Sequence, residues 1–142
     1  MGSDISSPAL AVARENAANL GARVTYIHSD LFSGLKDRRF DVIVSNPPYI
    51  PTGDCRDLQP EVLREPVLAL DGGSDGLDFY RRICSEAPSY LNPNGVLAFE
   101  TGCDQTEKVA ELLRTAGFEQ IEILRDMSHL PRMVLARWGR EV

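Results

Sequence analysis

Apolar and polar positions recur with two different periods along this chain, and each change of period marks the border of an element. Leu10, Ala13, Ala17 and Leu20 return at helical spacing, after Ser7-Pro8 and before Gly21. A hydroxyl satisfies the first free N–H groups of such a helix, proline suits its first turn, and glycine accepts the left-handed conformation that ends it. Val24-Thr25-Tyr26-Ile27 predicts a short strand, followed by the polar His28-Ser29-Asp30. Phe40 to Ser45 is nearly continuous in apolar residues, the pattern of a parallel strand covered on both faces.

From Ile50 to Gly76 no period is visible, and Pro, Gly and Asp are frequent. Loops of this length are usually functional or disordered. Helical spacing returns with Leu77, Tyr80, Cys84, Ala87 and Leu91, and Pro88 is expected to bend the last turn. Asn92 to Gly95 predicts a turn and Val96 to Glu100 a strand. Asp104 with Glu107 has capping-box spacing and opens a helix through Val109, Leu112, Leu113 and Ala116, closed by Gly117. Gln120–Leu124 and Met133–Trp138 read as final strands, whose short link predicts an antiparallel pair at one edge of the sheet. Strands alternating with helices mean an α/β fold with a largely parallel sheet.

Composition narrows the function class more than the fold. The 142 residues fit one domain with one core, and 43% hydrophobic with 25% charged residues is ordinary for a globule. No apolar run has the length of a membrane span, and the N-terminus lacks a signal-peptide pattern. Cys55, Cys84 and Cys103 are far apart, and His28 and His129 stand alone. The expectation is no disulfide framework, no metal site and a reducing cytoplasm. Net charge is −6, without a basic stripe, which disfavours a nucleic-acid backbone as main partner.

The chemistry concentrates in Ser45-Asn46-Pro47-Pro48-Tyr49-Ile50, directly after the predicted strand Phe40–Ser45. Proline cannot donate to a ladder, so Pro47 and Pro48 end the strand and stiffen the backbone between an amide and an aromatic ring. Taken alone, Asn46 could be a local cap and the prolines a simple strand stop. Ligands of open α/β sheets bind outside the carboxyl ends of strands. Asp30 with Leu31, Asn46 to Tyr49, and Glu100-Thr101-Gly102 all fall at such ends and would converge on one crevice.

Asn-Pro-Pro-Tyr after a hydrophobic strand resembles the motif of S-adenosyl-L-methionine-dependent methyltransferases that act on planar NH2 groups. With residues 64–83 (REPVLALDGGSDGLDFYRRI), 91–102 (LNPNGVLAFETG) and 126–138 (DMSHLPRMVLARW), the chain from about Asp4 to Trp138 resembles the peptide chain release factor glutamine methyltransferases of the HemK/PrmC type. The resemblance implies a Rossmann-like class I methyltransferase sheet. It also implies methyl transfer to the glutamine of the GGQ loop of a release factor. Asn46, Pro47, Pro48 and Tyr49 would form the catalytic wall. Asp4 would bind the ribose hydroxyls of S-adenosyl-L-methionine, Asp30 and Leu31 would border the adenine, and Asn46 would meet both cofactor and substrate. Glu65 and Pro66 are either part of the substrate wall or residues of a surface loop, and Glu100 could approach the cofactor or be a solvated strand-end carboxylate. Asp71 to Gly76 would be a loop packed near the site, Arg81-Arg82 a solvated helix face, and Trp138 packing on an edge strand.

One family feature is missing from this sequence. No two glycines are separated by a single residue, so the glycine-rich turn after the first strand has no counterpart. By resemblance, residues 1–142 are part of a methyltransferase domain that lacks its first strand, with two unpaired inner edges and an exposed apolar seam. The chain alone is then expected to bind cofactor weakly or not at all and to be prone to self-association. Two rival readings are an adenine amino-methyltransferase acting on nucleic acid, and a non-catalytic interaction module.

Overall fold

Two stretches of chain fold around separate sets of strands in the computed structural model, which describes residues 1–139. One compact unit comprises residues 1–38 and the other begins at Arg39.

The first unit is a β–α–β turn: β1 (Gly2–Asp4), α1 (Ser7–Asn19) and β2 (Tyr26–His28). The two strands pair in parallel, with Gly2 opposite Tyr26 and Asp4 opposite His28. Helix α1 is capped one residue earlier than Ser7-Pro8 predicted. Ser6 Oγ accepts from the Ala9 N–H at 3.2 Å, so Ser7 is already helical and Pro8 follows, where its missing N–H is not needed. Gly21 ends the helix at φ +64°, as its position predicted. Leu10 and Ala17 are buried, but Leu20 is 82% exposed because it lies beyond the last turn, at the C-cap. The strand predicted at Val24 begins two residues later, at Tyr26.

The second unit contains β3 (Phe40–Ser45), α2 (Asp78–Glu86), β4 (Leu91–Glu100), α3 (Thr106–Thr115), β5 (Glu119–Arg125) and β6 (Pro131–Arg137). Its strand order is β3-β4-β6-β5. The β3–β4 pair is parallel, and β6 runs antiparallel to both β4 and β5. This sheet is therefore mixed, with the expected antiparallel pair at one edge. Trp138 follows the interior strand β6 and packs at the start of the edge strand β5. It is 8% exposed, with its ring 5.2 Å from that of Phe118.

Three local expectations change for identifiable reasons. Residues Asn92 to Gly95 are absorbed into β4 as an irregularity, the register jumping from Phe40↔Leu91 to Val42↔Val96. The end of β6 holds them there: Trp138 N–H donates to the Gly95 carbonyl at 2.8 Å, and Asn94 N–H to the Trp138 carbonyl at 2.9 Å. Helix α2 stops at Glu86 and tightens into a 3-10 turn over Ala87–Tyr90, where Pro88 has no N–H for the α-ladder. The capping box at Asp104 and Glu107 does not form. Helix α3 starts at Thr106 after Gln105, whose side chain makes no cap bond because its amide is engaged elsewhere.

The core of this unit lies between the sheet and α2 and α3. Tyr80, Leu97, Val109, Leu113 and Val134 are fully buried, and the Tyr80 ring stands edge-on to Phe99 with centroids 5.1 Å apart. Among the described residues, no helix is long and apolar enough to cross a membrane. Leu97→Ala should lower the unfolding free energy by about 2–5 kcal/mol, through lost burial and a residual cavity. Met127→Ala, at a fully exposed loop position, should change it by no more than about 0.5 kcal/mol. Urea titration of both variants measures the contrast.

Candidate active site

The β3–β4 ladder ends at the pair Ser45↔Phe99. Beyond it the two parallel strands release Asn46–Tyr49 and, after Glu100, Thr101–Gly102 at the same carboxyl edge. Asn46 is exposed, Pro47 is buried, and Pro48 and Tyr49 are half-buried. The motif thus presents one solvent-facing amide on a backbone anchored from below.

The segment after it is not loose. Three single 3-10 turns, Asp54–Arg56, Val62–Arg64 and Val67–Ala69, fold it back toward the motif. Ile50 N–H donates to the Leu70 carbonyl at 2.9 Å, Gly72 N–H to the Ile50 carbonyl at 2.8 Å, and Thr52 N–H to the Gly73 carbonyl at 2.9 Å. Asp71 accepts from the Thr52 hydroxyl at 2.7 Å and from the Gly73 N–H at 2.9 Å. Those two donors hold its carboxyl below the usual range. A Cβ on Gly72 would lie 2.8 Å from the Pro48 carbonyl oxygen, so only glycine permits this approach. The glycine-rich loop therefore packs on the proline pair, as expected. Glu65 and Pro66 are exposed. Val67, Leu68, Thr52 and Phe79 help to line a groove of about 490 Å³ beside Asp71.

Helix α2 braces the same edge. The Tyr80 hydroxyl donates to the Glu100 carbonyl at 2.8 Å. Burial, with Tyr49 and Glu100 nearby, pushes the Tyr80 phenol well above its ordinary pKa, so it stays a donor. Arg81 is not merely solvated: it pairs with Asp75 and Asp78, and the hydrogen bond from Arg81 lowers the Asp75 pKa to about 2. Arg82 lies over the Phe79 ring, 5.8 Å from its centroid.

Two polar residues are buried at this edge: Thr101, which belongs to the strand-end segment expected there, and Gln105, which carried no sequence signal. Gln105 Nε2 donates to the Tyr49 carbonyl at 2.9 Å, while its Oε1 accepts from Gly102 N–H at 3.3 Å. Thr101 is fully buried, and its hydroxyl has no hydrogen-bond partner among the described residues. Gln105 stands three residues after Gly102, within the misread capping box, and only that proximity to a strand end could have drawn attention to it.

In the first unit, Asp4 and the Asp30–Leu31 segment meet at the carboxyl ends of β1 and β2. Ser29 N–H donates to the Asp4 carbonyl at 3.0 Å. The exposed Asp4 carboxylate accepts from Ser6 N–H at 2.7 Å, which leaves lone pairs facing solvent. Leu31 adopts φ +48°, a strained conformation for a side chain with a Cβ. Ser29, 4% exposed, holds it there: its hydroxyl donates to the Leu31 carbonyl at 2.8 Å and accepts from Gly34 N–H at 2.8 Å. The seven predicted site residues are thus gathered into two clusters, one in each unit, at strand carboxyl ends.

Comparison with known proteins agrees with the motif. The chain is 51% identical to the release factor glutamine methyltransferase of Geobacter sulfurreducens over 140 residues, covering 98% of the chain and 49% of that protein. The chain spans about half the length of the curated relatives it matches. Among solved structures, it is similar to the release factor-specific protein-(glutamine-N5) methyltransferase of Alicyclobacillus acidocaldarius. There the identity is 26% and the TM-score 0.53, covering 98% of this chain and 78% of that one. A methyltransferase of Pyrococcus furiosus shares the fold at TM-score 0.72 and 19% identity, over 97% of this chain and 61% of that one. The family model described as "Methyltransferase small domain" matches residues 1–75. With more than half of its residues under that model, the chain belongs to the methyltransferase small domain family.

Proposed function

We propose that residues 1–142 are part of an S-adenosyl-L-methionine-dependent methyltransferase domain that acts in the cytoplasm on peptide chain release factors. Its product would be the N5-methylated glutamine of their GGQ loop. The observation that carries the reading is the exposed Asn46 amide on a backbone pinned by Gly72 and Gln105, in a chain 51% identical to a release factor glutamine methyltransferase.

The residues present suit such a cofactor by donor chemistry. Asp4 has carboxylate lone pairs for two ribose hydroxyls, and Leu31 offers a half-buried apolar face for a purine. Asp30 borders the same turn. When bound, the cofactor supplies an electrophilic methyl group on a sulfonium. The chain's task is to orient a weak nucleophile, because the amide nitrogen's lone pair is delocalised into its carbonyl. Asn46 Oδ1 and the Pro47 carbonyl each accept one N–H of the substrate NH2 group. Together they favour a pyramidal nitrogen with its lone pair turned outward. Pro48 keeps the Pro47 carbonyl direction fixed, and Tyr49 packs on the planar amide. The gain comes from positioning and electrostatics, with no side-chain nucleophile.

The net charge of −6 supports a protein substrate over the amino group of adenine in nucleic acid. The full-length gene product, given labelled cofactor with a release factor and with DNA in parallel, should label the release factor glutamine alone. Label confined to DNA would overturn the assignment. Asn46→Ala in that protein should lower kcat by about 10²–10³-fold, the usual effect of removing one positioning group. Cofactor affinity should fall much less; an unchanged kcat would remove Asn46 from this role.

The 142-residue polypeptide by itself is proposed to self-associate. Strand β3 is an edge of its sheet, with Val42 57% and Val44 74% exposed, and Asp41 is its one charged residue. Edge strands without lysine or proline invite pairing with another chain. Sedimentation velocity should show a concentration-dependent increase in mass that Val44→Lys reduces. A monomer at all concentrations would contradict this.

A further inference from the structure

Gln105 is 5% exposed and occupies the cap position of α3 without capping it. Its amide bonds backbone on three separate loops. Nε2 donates to the Tyr49 carbonyl at 2.9 Å and lies 3.5 Å from the Gly76 carbonyl, while Oε1 accepts from Gly102 N–H at 3.3 Å. These groups belong to the turn after β3, the end of the long loop and the turn after β4. The packing is closed: a Cβ on Gly76 would stand 2.3 Å from the Tyr49 oxygen and 2.6 Å from Gln105 Nε2. Glycine is further required there by φ +74°. Among the described residues no backbone N–H reaches the Tyr49 carbonyl, so the buried side chain alone satisfies it.

We propose that Gln105 is a positioning residue for methyl transfer, acting through the Tyr49 carbonyl on the Asn46–Pro48 turn. Ser45 pins the turn at its entry through the β3–β4 ladder, and Gln105 pins it at its exit. Between these anchors Pro47 and Pro48 have fixed φ, so few torsions remain. Fixing both ends sets where the Pro47 carbonyl and the Asn46 amide point. Releasing the exit lets the Tyr49 peptide rotate, and the error passes back through the rigid prolines. An amide suits this place because it donates and accepts at once, which neither a hydroxyl at that reach nor a carboxylate does.

The kinetic half of this inference rests on the proposed methyltransferase reading; the structural half does not. The full-length gene product is compared with Gln105→Met, which keeps volume without polar atoms, and Gln105→Glu, which turns oxygen toward two carbonyls. Gly76→Ala disturbs the same junction from the other side. Hydrogen exchange read by mass spectrometry should accelerate about tenfold or more over residues 46–52 and stay unchanged in α2 and β6, a local opening. With release factor as substrate, kcat per folded molecule should fall about tenfold to hundredfold, with Gln105→Glu at least as affected as Gln105→Met. KM for the cofactor should hold within about twofold, since uniform binding is not touched. Wild-type exchange in all three variants would overturn the clamp. Faster exchange with unchanged kcat would overturn the positioning role. A wild-type protein that methylates nothing would sink the enzymatic reading and leave the clamp to be judged by exchange alone.

Discussion

Two adjacent prolines deny the sheet any further N–H from β3, and the second unit is organised around the consequence. Once Pro47 and Pro48 leave the ladder, the peptides beyond them need other partners, because buried backbone groups left unpaired are expensive. The chain finds them in three places. Ile50 exchanges bonds with Leu70 and Gly72, Thr52 bonds Gly73 and Asp71, and the Tyr49 carbonyl takes the Gln105 amide. A segment without hydrophobic period therefore becomes ordered through hydrogen bonds and close glycine contacts instead of through an apolar face.

That mode of ordering suits the reaction proposed for the chain. A delocalised amide nitrogen cannot be activated by a general base of ordinary strength, so holding its geometry is the available route to rate. Acceptors fixed in advance do not have to be reorganised during the reaction. The buried Tyr80 hydroxyl on the Glu100 carbonyl and the Gln105 amide on the Tyr49 carbonyl anchor the backbone at the ends of both neighbouring strands. Rigid support lies beneath, while the Asn46 side chain is exposed.

The first unit follows the same logic on a smaller scale. Leu31 is held in a left-handed conformation by the hydroxyl of a buried serine, and strain of that kind persists only where its surroundings over-determine it. Asp4 spends one oxygen on the first N–H beside α1 and keeps the rest of its carboxylate at the strand end. In both units, polar groups at the carboxyl ends of parallel strands are aimed by short-range hydrogen bonds and not by the strands alone.

Most elements were legible in the sequence because they obey local physics. The bounds of β3 follow from an apolar run stopped by proline, and the ends of α1 and α3 from glycines at positive φ. The family, too, was legible, because Asn46–Ile50 and the stretch around Asp71 are rare in combination. Other features required the third dimension. Asp104 and Glu107 had the spacing of a capping box, yet Gln105 between them is drawn away by carbonyls far off in sequence. Asn92 to Gly95 carried every signal of a turn, but the end of β6 laces them into β4. The place of β6 between β4 and β5 carried no local signal. Local periodicity, proline and glycine report constraints within a few residues of themselves, and those the sequence determined alone. Which buried carbonyl an amide satisfies, and which strand lies beside which, depend on distant partners that only the tertiary structure brings together.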